Sequence, residues 1–250
     1  MKYIASCSFG KDSLAMVLFL LENGYPLDEV IFYDTGMEFD AIYRNRDKLR
    51  PILEAHGVKY TELYPSPSFL YQMLERPVKG KTNPDHKGYG WCGGSCRWGT
   101  TAKNKTISQY LSVYAEKGYE EYIGIAYDEP NRLKEKLYPL YENRMKEADC
   151  LRFCRERMWN WLEDGVDLYD ILDRVSCWCC ANKNRKELFN IYLYLPRYWE
   201  KLKALQAQID RPMKKFTNKK YGDYGNLFEL EKVFAEERSD WLDRLLEGSD

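Results

Sequence analysis

The chain has 250 residues, a formal net charge of -1 and 44% hydrophobic residues. A chain of that length can bury one substantial core, and its near-neutral charge excludes a polycation that binds nucleic acid through bulk charge. The sequence shows neither an apolar run of membrane-spanning length nor a signal-peptide pattern, so we expect a cytoplasmic protein without a membrane contact. Eight cysteines in that compartment indicate metal ligands or nucleophiles rather than disulfides.

Strand and helix patterns alternate along the first two thirds of the chain. The predicted strands lie at residues 3–5, 29–33, 58–63 and 121–125, and the first two are predicted to be buried. The predicted helices lie at residues 14–21, 39–55 and 107–115, and Gly24 and Gly57 stop the first two. An acidic, amphipathic pattern after residue 221 predicts a C-terminal helix.

Repeated strand–helix–strand units predict an α/β fold, a doubly wound parallel sheet with helices on both faces. We expect one domain at residues 1–190. We expect residues 191–250 to form a helical C-terminal extension that packs on the core of that domain.

A Ser/Gly loop joins the first predicted strand to the first predicted helix, and its residues are Ser8, Phe9, Gly10, Lys11, Asp12 and Ser13. Strand, loop and helix in this order turn backbone N–H groups and the positive end of a helix toward a phosphate. The loop has neither the Walker A pattern nor G-x-G-x-x-G. The residues alone leave two interpretations, a phosphate-binding loop and an ordinary Ser/Gly turn.

Two further segments also follow predicted strands. Asp34, Thr35 and Gly36 come after the second strand, and residues 126–132 come after the fourth. Ligands of parallel α/β sheets bind at the carboxyl ends of the strands, so we expect all three segments to meet at one rim. The acidic turn can accept hydrogen bonds from a ribose or adenine, or help to hold a metal on phosphates, and a plain strand-ending turn is the alternative.

The loop resembles S-G-G-x-D-S, the pyrophosphate-binding loop of the adenine nucleotide alpha-hydrolase superfamily, the PP-loop ATP pyrophosphatases. Phe9 stands in place of the first glycine, and in this respect the loop resembles that of the phosphoadenylyl-sulfate (PAPS) reductase family of that superfamily. The resemblance covers residues 1 to about 190. It implies the α/β fold of this type and an adenine nucleotide as ligand, either ATP or a sulfonucleotide (PAPS or APS).

Other segments carry the same resemblance. The Asp34 turn and the run Tyr138, Pro139 and Leu140 are similar to family segments. Arg132 falls where the family often has a phosphate-facing arginine, with a solvated arginine as the alternative. Ala126 departs from the family, because many members have an arginine there.

The cysteines include two close pairs, Cys92 with Cys96 and Cys177 with Cys180. Two such pairs from distant segments can close a four-sulfur site, and thiolates suit zinc or an iron–sulfur cluster. Members of the superfamily that reduce sulfonucleotides or thiolate nucleic acids often hold a [4Fe-4S] cluster on similarly separated pairs. We predict these four residues as metal ligands for a [4Fe-4S] cluster, with Zn²⁺ or no metal as alternatives. Cys179 is either a further ligand or a thiol that carries sulfur.

The remaining cysteines receive no chemical role. Cys150 and Cys154 lie four residues apart on a predicted helix, which places them on one face and favours buried packing. Cys7 is interpreted as the last residue of the first buried strand.

Two basic stretches contain interspersed aromatic residues. The first holds Lys79, Lys81, Lys87, Arg97, Lys103 and Lys105 with Tyr89, Trp91 and Trp98, and the second holds Lys214, Lys215, Lys219 and Lys220 with Phe216 and Tyr221. Cations with aromatic neighbours suit a nucleic-acid strand, through phosphate contacts and base stacking. A solvated charged face is the alternative.

The resemblance implies two reactions. Sulfonucleotide reductases of the family attack the substrate with the cysteine of a C-terminal Glu-Cys-Gly-Leu motif, and this sequence has no cysteine after Cys180. We therefore favour an enzyme that uses ATP to adenylate an acceptor, releases pyrophosphate and transfers sulfur, with nucleic acid as an acceptor. A sulfonucleotide reductase with a non-standard thiol and a non-catalytic nucleotide- or nucleic-acid-binding module are the alternatives.

Under this hypothesis the catalytic residues are Lys11, Asp12 and Ser13. Lys11 offsets the charge that develops on pyrophosphate, Asp12 orients Mg²⁺ or caps the helix, and Ser13 bonds a phosphate. The expected partners are an adenine nucleotide, a nucleic-acid substrate, and a sulfur-donor or electron-donor protein.

Overall fold

The computed structural model describes residues 1–80, 84–214, 216–218 and 222–247. Some members of the two predicted basic stretches lie outside the described residues, namely Lys81, Lys215, Lys219, Lys220 and Tyr221.

The regular elements within those ranges begin close to the N-terminus and continue to residue 247. The strands are β1 (Lys2–Ser6), β2 (Glu29–Tyr33), β3 (Lys59–Leu63), β4 (Pro77–Val78), β5 (His86–Lys87), β6 (Tyr119–Ile123), β7 (Leu162–Glu163), β8 (Val166–Asp167), β9 (Phe216–Asn218) and β10 (Gly222–Tyr224). The α-helices are α1 (Lys11–Glu22), α2 (Asp40–Ala55), α3 (Ala102–Leu111), α4 (Pro139–Glu142), α5 (Glu147–Glu156), α6 (Leu168–Ile171), α7 (Arg185–Tyr194), α8 (Pro196–Gln206) and α9 (Leu227–Glu247). None of the helices in the described ranges is both long and apolar enough to cross a membrane.

The central sheet contains four strands in the order β3-β2-β1-β6. Every pairing in it is parallel, and Ala5 of β1 lies opposite Val30 of β2 and Tyr122 of β6. Parallel neighbours place their carboxyl ends at one edge, so the segments that follow β1, β2 and β6 share a rim. The predicted parallel α/β sheet is confirmed.

Helices cover both faces of this sheet. On one face Ile4, Ile31 and Tyr33 pack against Ile107 and Leu111 of α3. Side chains alternate along a strand, so Phe32 and Tyr60 point to the opposite face. There the Arg50 guanidinium of α2 lies over the Tyr60 ring, 5.3 Å from its centroid. The sheet is therefore doubly wound, as predicted.

The chain divides into two compact units. Unit 1 comprises Met1–Phe69 and Cys96–Leu168 and contains the central sheet, whereas unit 2 comprises Leu70–Ser95 and Tyr169–Asp250. In unit 2 the Phe234 ring of α9 packs against Phe189, Tyr192 and Trp199 of α7 and α8. The domain boundary at residue 190, and the packing of residues 191–250 on the first domain, stay predictions.

Apart from α3, the predicted elements of the central sheet and its helices begin within three residues of their predicted starts. Helix α3 begins at Ala102 rather than at residue 107, because its first turn is polar and gives no hydrophobic periodicity. Strand β6 spans Tyr119–Ile123 rather than residues 121–125. The next residue, Gly124, packs so close to the first turn of α1 that a Cβ there would lie 2.8 Å from the Ser13 Cα.

Candidate functional site

The Ser13 hydroxyl organises the loop between β1 and α1. It accepts a hydrogen bond from the Ser8 N–H at 3.1 Å and lies 3.1 Å from the Ser8 Oγ. It also donates to the Gly10 carbonyl at 3.2 Å. Gly10, the N-cap of α1, supplies no side-chain cap, so the loop leaves the helix N-terminus without one. Uncapped N–H groups at a helix start favour an anion.

Phe9 anchors this loop in the interior. Its φ of 58° is in the left-handed region, which is uncommon for a residue other than glycine. Two contacts hold this conformation: the ring packs edge-on against Phe32 at 5.0 Å, and the carbonyl accepts a 2.7 Å bond from the Trp161 Nε1. The Phe9 side chain is fully buried, so its predicted contact with a nucleotide is restricted to its backbone.

Lys11 is held between two carboxylates. Its Nζ lies 2.9 Å from the Asp12 carboxylate and 2.7 Å from the Glu147 Oε2 at the start of α5. Burial opposes the ammonium charge, but the two carboxylates outweigh burial and raise the pKa of Lys11. Burial raises the pKa of Asp12, and Lys11 opposes that rise. A buried, charged lysine thus lies at the N-terminus of α1.

The segment after β6 packs directly on this turn. A Cβ at Gly124 would lie 2.8 Å from the Ser13 Cα and 2.9 Å from the Asp12 carbonyl oxygen, closer than real Cβ contacts. Farther along, the Asp128 Oδ1 accepts a 3.1 Å bond from the Glu147 N–H. The carboxyl ends of β1 and β6 therefore form one surface that also contains the start of α5.

The acidic turn after β2 is held by its own hydrogen bonds. Asp34 is buried, and its Oδ1 accepts bonds from the Gly36 N–H at 2.7 Å and the Tyr43 hydroxyl at 2.8 Å. Thr35 donates to Glu38 at 2.9 Å. These bonds shape the turn, and the nucleotide contact of Asp34, Thr35 and Gly36 stays a prediction.

Arg132 lies on a 3-10 turn, Pro130–Arg132, in the segment after β6. Its side chain is about half exposed and forms an ion pair with Glu129, with an N–O distance of 2.7 Å. Glu129 contributes to the raised pKa of Asp12, which places this carboxylate near the loop. The phosphate contact of Arg132 stays a prediction that would require this ion pair to open.

Three buried cysteines lie close to the loop. Burial raises the pKa of the Cys7 thiol to about 11 and that of Cys154 to about 12. Burial also raises the pKa of Cys150, and the charge of Asp12 adds to the rise. The raised pKa values disfavour the thiolate form, which agrees with burial of the three side chains in the interior.

The predicted metal ligands are divided between the units. Cys92, Cys177 and Cys180 belong to unit 2 and Cys96 to unit 1, where the Cys96 thiol accepts a 3.4 Å hydrogen bond from the Gly99 N–H. Within the described ranges, no three His, Cys, Asp or Glu side chains are grouped to hold a metal ion. The assignment of these four cysteines as metal ligands stays a prediction.

Unit 2 nevertheless brings the two cysteine segments together. The Asn182 side chain accepts a 2.7 Å bond from the Gly94 N–H and donates a 2.9 Å bond to its carbonyl. Lys183 is buried beside Cys177 and Cys180, and its Nζ donates to the Ser176 hydroxyl at 3.2 Å. Burial lowers the pKa of Lys183, and Glu187 and the neighbouring cysteines oppose that fall. A half-buried thiol segment therefore lies beside a buried amine.

The predicted base-stacking role of the first basic stretch is wrong for its tryptophans. Trp91 and Trp98 are 6% and 2% exposed, so neither presents a ring face to a base. Phe69 packs edge-on against Trp98 in unit 1. Tyr89 is half-buried, and its ring lies under the Arg76 guanidinium. The two tryptophan rings pack in the hydrophobic interior.

Sequence reasoning missed two residues of the site. Glu147 binds Lys11 from 136 residues away, and Trp161 fixes Phe9 from 152 residues away. No local pattern marks either residue, because each acts through a long-range contact.

The segment that contains this loop and turn is similar to a known protein domain. Residues 2–92, which contain the loop and the acidic turn, match the phosphoadenosine phosphosulfate reductase domain. The match covers these residues only, and it agrees with the resemblance of the Ser8–Ser13 loop to that family. The matched residues include β1, α1, β2 and every residue of the Ser8–Ser13 loop, whereas Arg132 lies outside them.

Two individual proteins are similar to the chain. The uncharacterized protein MJ0066 of Methanocaldococcus jannaschii is 26% identical over 208 residues, which is 78% of this chain and 39% of that protein. The chain thus spans well under half the length of that relative. A solved structure, the U34-tRNA thiolase NcsA from Methanococcus maripaludis with its [4Fe-4S] cluster, matches with a TM-score of 0.45 and 15% identity, covering 84% of this chain and 73% of that chain.

Proposed function

We propose that the loop from Ser8 to Ser13 binds the phosphates of ATP, and that the protein adenylates an acceptor, releases pyrophosphate and transfers sulfur to that acceptor. The observation that carries the proposal is the position of Lys11, a buried ammonium at an uncapped helix N-terminus. Helix N–H groups and an adjacent cation stabilise a phosphate better than either does alone. The family match over residues 2–92 supports an adenine nucleotide as the ligand.

The reaction proceeds by two displacements. An acceptor oxygen attacks the α-phosphorus of ATP, the bond to the bridging oxygen breaks, and pyrophosphate leaves with the electron pair. A sulfur nucleophile at the level of hydrosulfide then attacks the activated carbon, and AMP leaves with the acceptor oxygen. The balance requires no oxidant or reductant, and no step passes through a metal cluster.

Residues of the loop and of α1 stabilise the pyrophosphate that leaves in the first displacement. Lys11 neutralises the charge that develops on the departing pyrophosphate, while the α1 N–H groups bind its oxygens. The Ser13 hydroxyl keeps Ser8 and Gly10 in place at 3.1–3.2 Å, which fixes the loop before ligand binds. ATP enters as its magnesium complex, so the metal ion arrives with the substrate.

A sulfonucleotide is the second candidate substrate, because the matched family is named for a phosphosulfate reductase. Its reduction yields sulfite, whereas adenylation yields pyrophosphate. The purified protein should release pyrophosphate from MgATP when supplied with an acceptor. Sulfite from phosphoadenylyl sulfate and a thiol reductant, without pyrophosphate from ATP, would reject adenylation in favour of reduction.

Removal of the Glu147 carboxylate should tighten nucleotide binding. Glu147 competes with phosphate for Lys11, and an ion pair of this exposure contributes about 0.2–1 kcal/mol, which corresponds to at most about fivefold in affinity. We expect Glu147→Gln to lower the dissociation constant for ATP by up to that factor in calorimetric titrations. Glu156→Gln on the same helix is the control, since Glu156 is exposed and touches no loop residue through its ion pairs. Weaker ATP binding by Glu147→Gln would show that the carboxylate positions Lys11 for phosphate instead.

A further inference from the structure

Unit 2 carries an excess of positive charge near its cysteine segment. Residues 183–214 contain eight lysines and arginines and three acidic residues. The cations are Lys183, Arg185, Lys186, Arg197, Lys201, Lys203, Arg211 and Lys214, and the acids are Glu187, Glu200 and Asp210. Lys183 is buried, and those of the other cations that face solvent without a carboxylate partner can attract a polyanion.

Several of these cations are already engaged inside unit 2. Lys203 binds Glu231 of α9 at 2.7 Å, and Arg185 pairs with Glu237 of the same helix. Arg211 donates to the carbonyls of Tyr89 and Trp91. These three side chains join the elements of the unit and are not available to a ligand.

Two cations differ from these because they lie against the cysteine segment. The Lys201 Nζ is 5.6 Å from the Trp178 ring centroid and 4.8 Å from that of Tyr198. The Lys214 Nζ donates to the carbonyl of Lys183. Within the described residues, neither lysine forms an ion pair with an acidic side chain. Aromatic rings and a carbonyl hold both ammonium groups in place while leaving their charge uncompensated.

The cysteine segments beside these two lysines are partly accessible to solvent. Cys177 and Cys180 are half-buried, and Gly93 and Gly94 across the Asn182 bonds are exposed and lack side chains that would block a ligand. A chain with regularly spaced charges could therefore pass the lysines and reach the thiols. Lysine contacts phosphate as a point charge, without the bidentate geometry of arginine.

We propose that Lys201 and Lys214 bind the phosphodiester backbone of a single-stranded nucleic acid and direct it past Cys177 and Cys180. This deepens the proposed function by naming the acceptor of sulfur, and in that respect it depends on that function. Phosphate contacts supply the affinity. The rings of Trp178 and Tyr198 are buried, so they fix Lys201 and do not stack on bases.

The test measures binding without ATP, which separates this proposal from the reaction. Fluorescence anisotropy of labelled single-stranded RNA and DNA is followed against the full chain at increasing salt. For a single strand, each phosphate contact contributes about 0.7 to the slope of log affinity against log salt. We expect Lys201→Ala and Lys214→Ala each to weaken binding several-fold and to reduce the slope by about 0.7.

Lys203→Ala is the matched control, because it removes the same charge from the same helix as Lys201 but at a residue paired with Glu231. It should leave the slope unchanged. The proposal is overturned by equal losses in Lys201→Ala and Lys203→Ala, by no binding to either nucleic acid, or by equally tight binding of an acidic peptide. Nucleic-acid binding without pyrophosphate release would leave this surface in place and reject only the adenylation reaction.

Discussion

Replacement of Lys11 with glutamine should lower the rate of pyrophosphate release by about 10²–10³, the usual cost of removing one preorganised electrostatic donor from a transition state. The raised pKa of Lys11 keeps its ammonium charged at and above neutral pH, so the wild-type charge is present under every ordinary assay condition. The uncharged amide cannot offset the negative charge on departing pyrophosphate. Initial rates with saturating MgATP would measure the loss.

The control for this substitution is Lys2→Gln. Lys2 lies at the opposite end of β1, and its Nζ pairs with Asp28 at 2.8 Å on the surface. Its replacement removes the same charge but should leave the rate unchanged. Lys11→Arg restores a cation and should recover part of the rate. A Lys11→Gln enzyme that keeps its rate and its circular dichroism spectrum would show that Lys11 only joins α1 to Glu147.

Sequence patterns predicted the central sheet from the alternation of strand and helix segments, most closely at β2. Residues 29–33 match β2 at both ends, and all five residues of that strand are buried. The loop from Ser8 to Ser13 was also predictable, since it is local in sequence. Its location at the rim shared with the ends of β2 and β6 followed from the rule that ligands of parallel sheets bind at the carboxyl ends of the strands.

The other half of the site was not predictable in this way. Glu147 and Trp161 reach the loop from distant parts of the chain, and neither belongs to a local pattern. The burial of Trp91 and Trp98 was hidden for a different reason. Alternation of basic and aromatic residues is the same whether the rings face solvent or enter the core, and only tertiary packing decides between them.

The metal ligands that cysteine spacing predicts stay a prediction. The pairs predicted a four-sulfur site, but spacing fixes only the distance along the chain and not the meeting of two segments. In unit 2 the Asn182–Gly94 bonds bring the segments of Cys92 and Cys177 together, yet the described residues form no metal-binding group of three.

Substitution of Gly124 with alanine should damage the loop through backbone contact alone. The new Cβ would lie 2.8 Å from the Ser13 Cα and 2.9 Å from the Ser13 nitrogen, and neither atom can move without shifting the first turn of α1. Overpacking of this kind costs about 1–3 kcal/mol, which predicts a fall of roughly 2–12 °C in the melting temperature.

Nucleotide binding gives the second readout for Gly124→Ala. Displacement of the first turn moves Lys11 and Ser13 together, so ATP affinity should fall even below the melting transition. Gly225→Ala is the control, because its Cβ would meet only the flexible Glu229 side chain at 3.5 Å, an ordinary contact. An unchanged melting temperature and ATP affinity in Gly124→Ala would show that the end of β6 yields to the methyl group without moving the loop. A loss of both would establish that phosphate binding depends on the ends of two neighbouring strands, and not on the hexapeptide by itself.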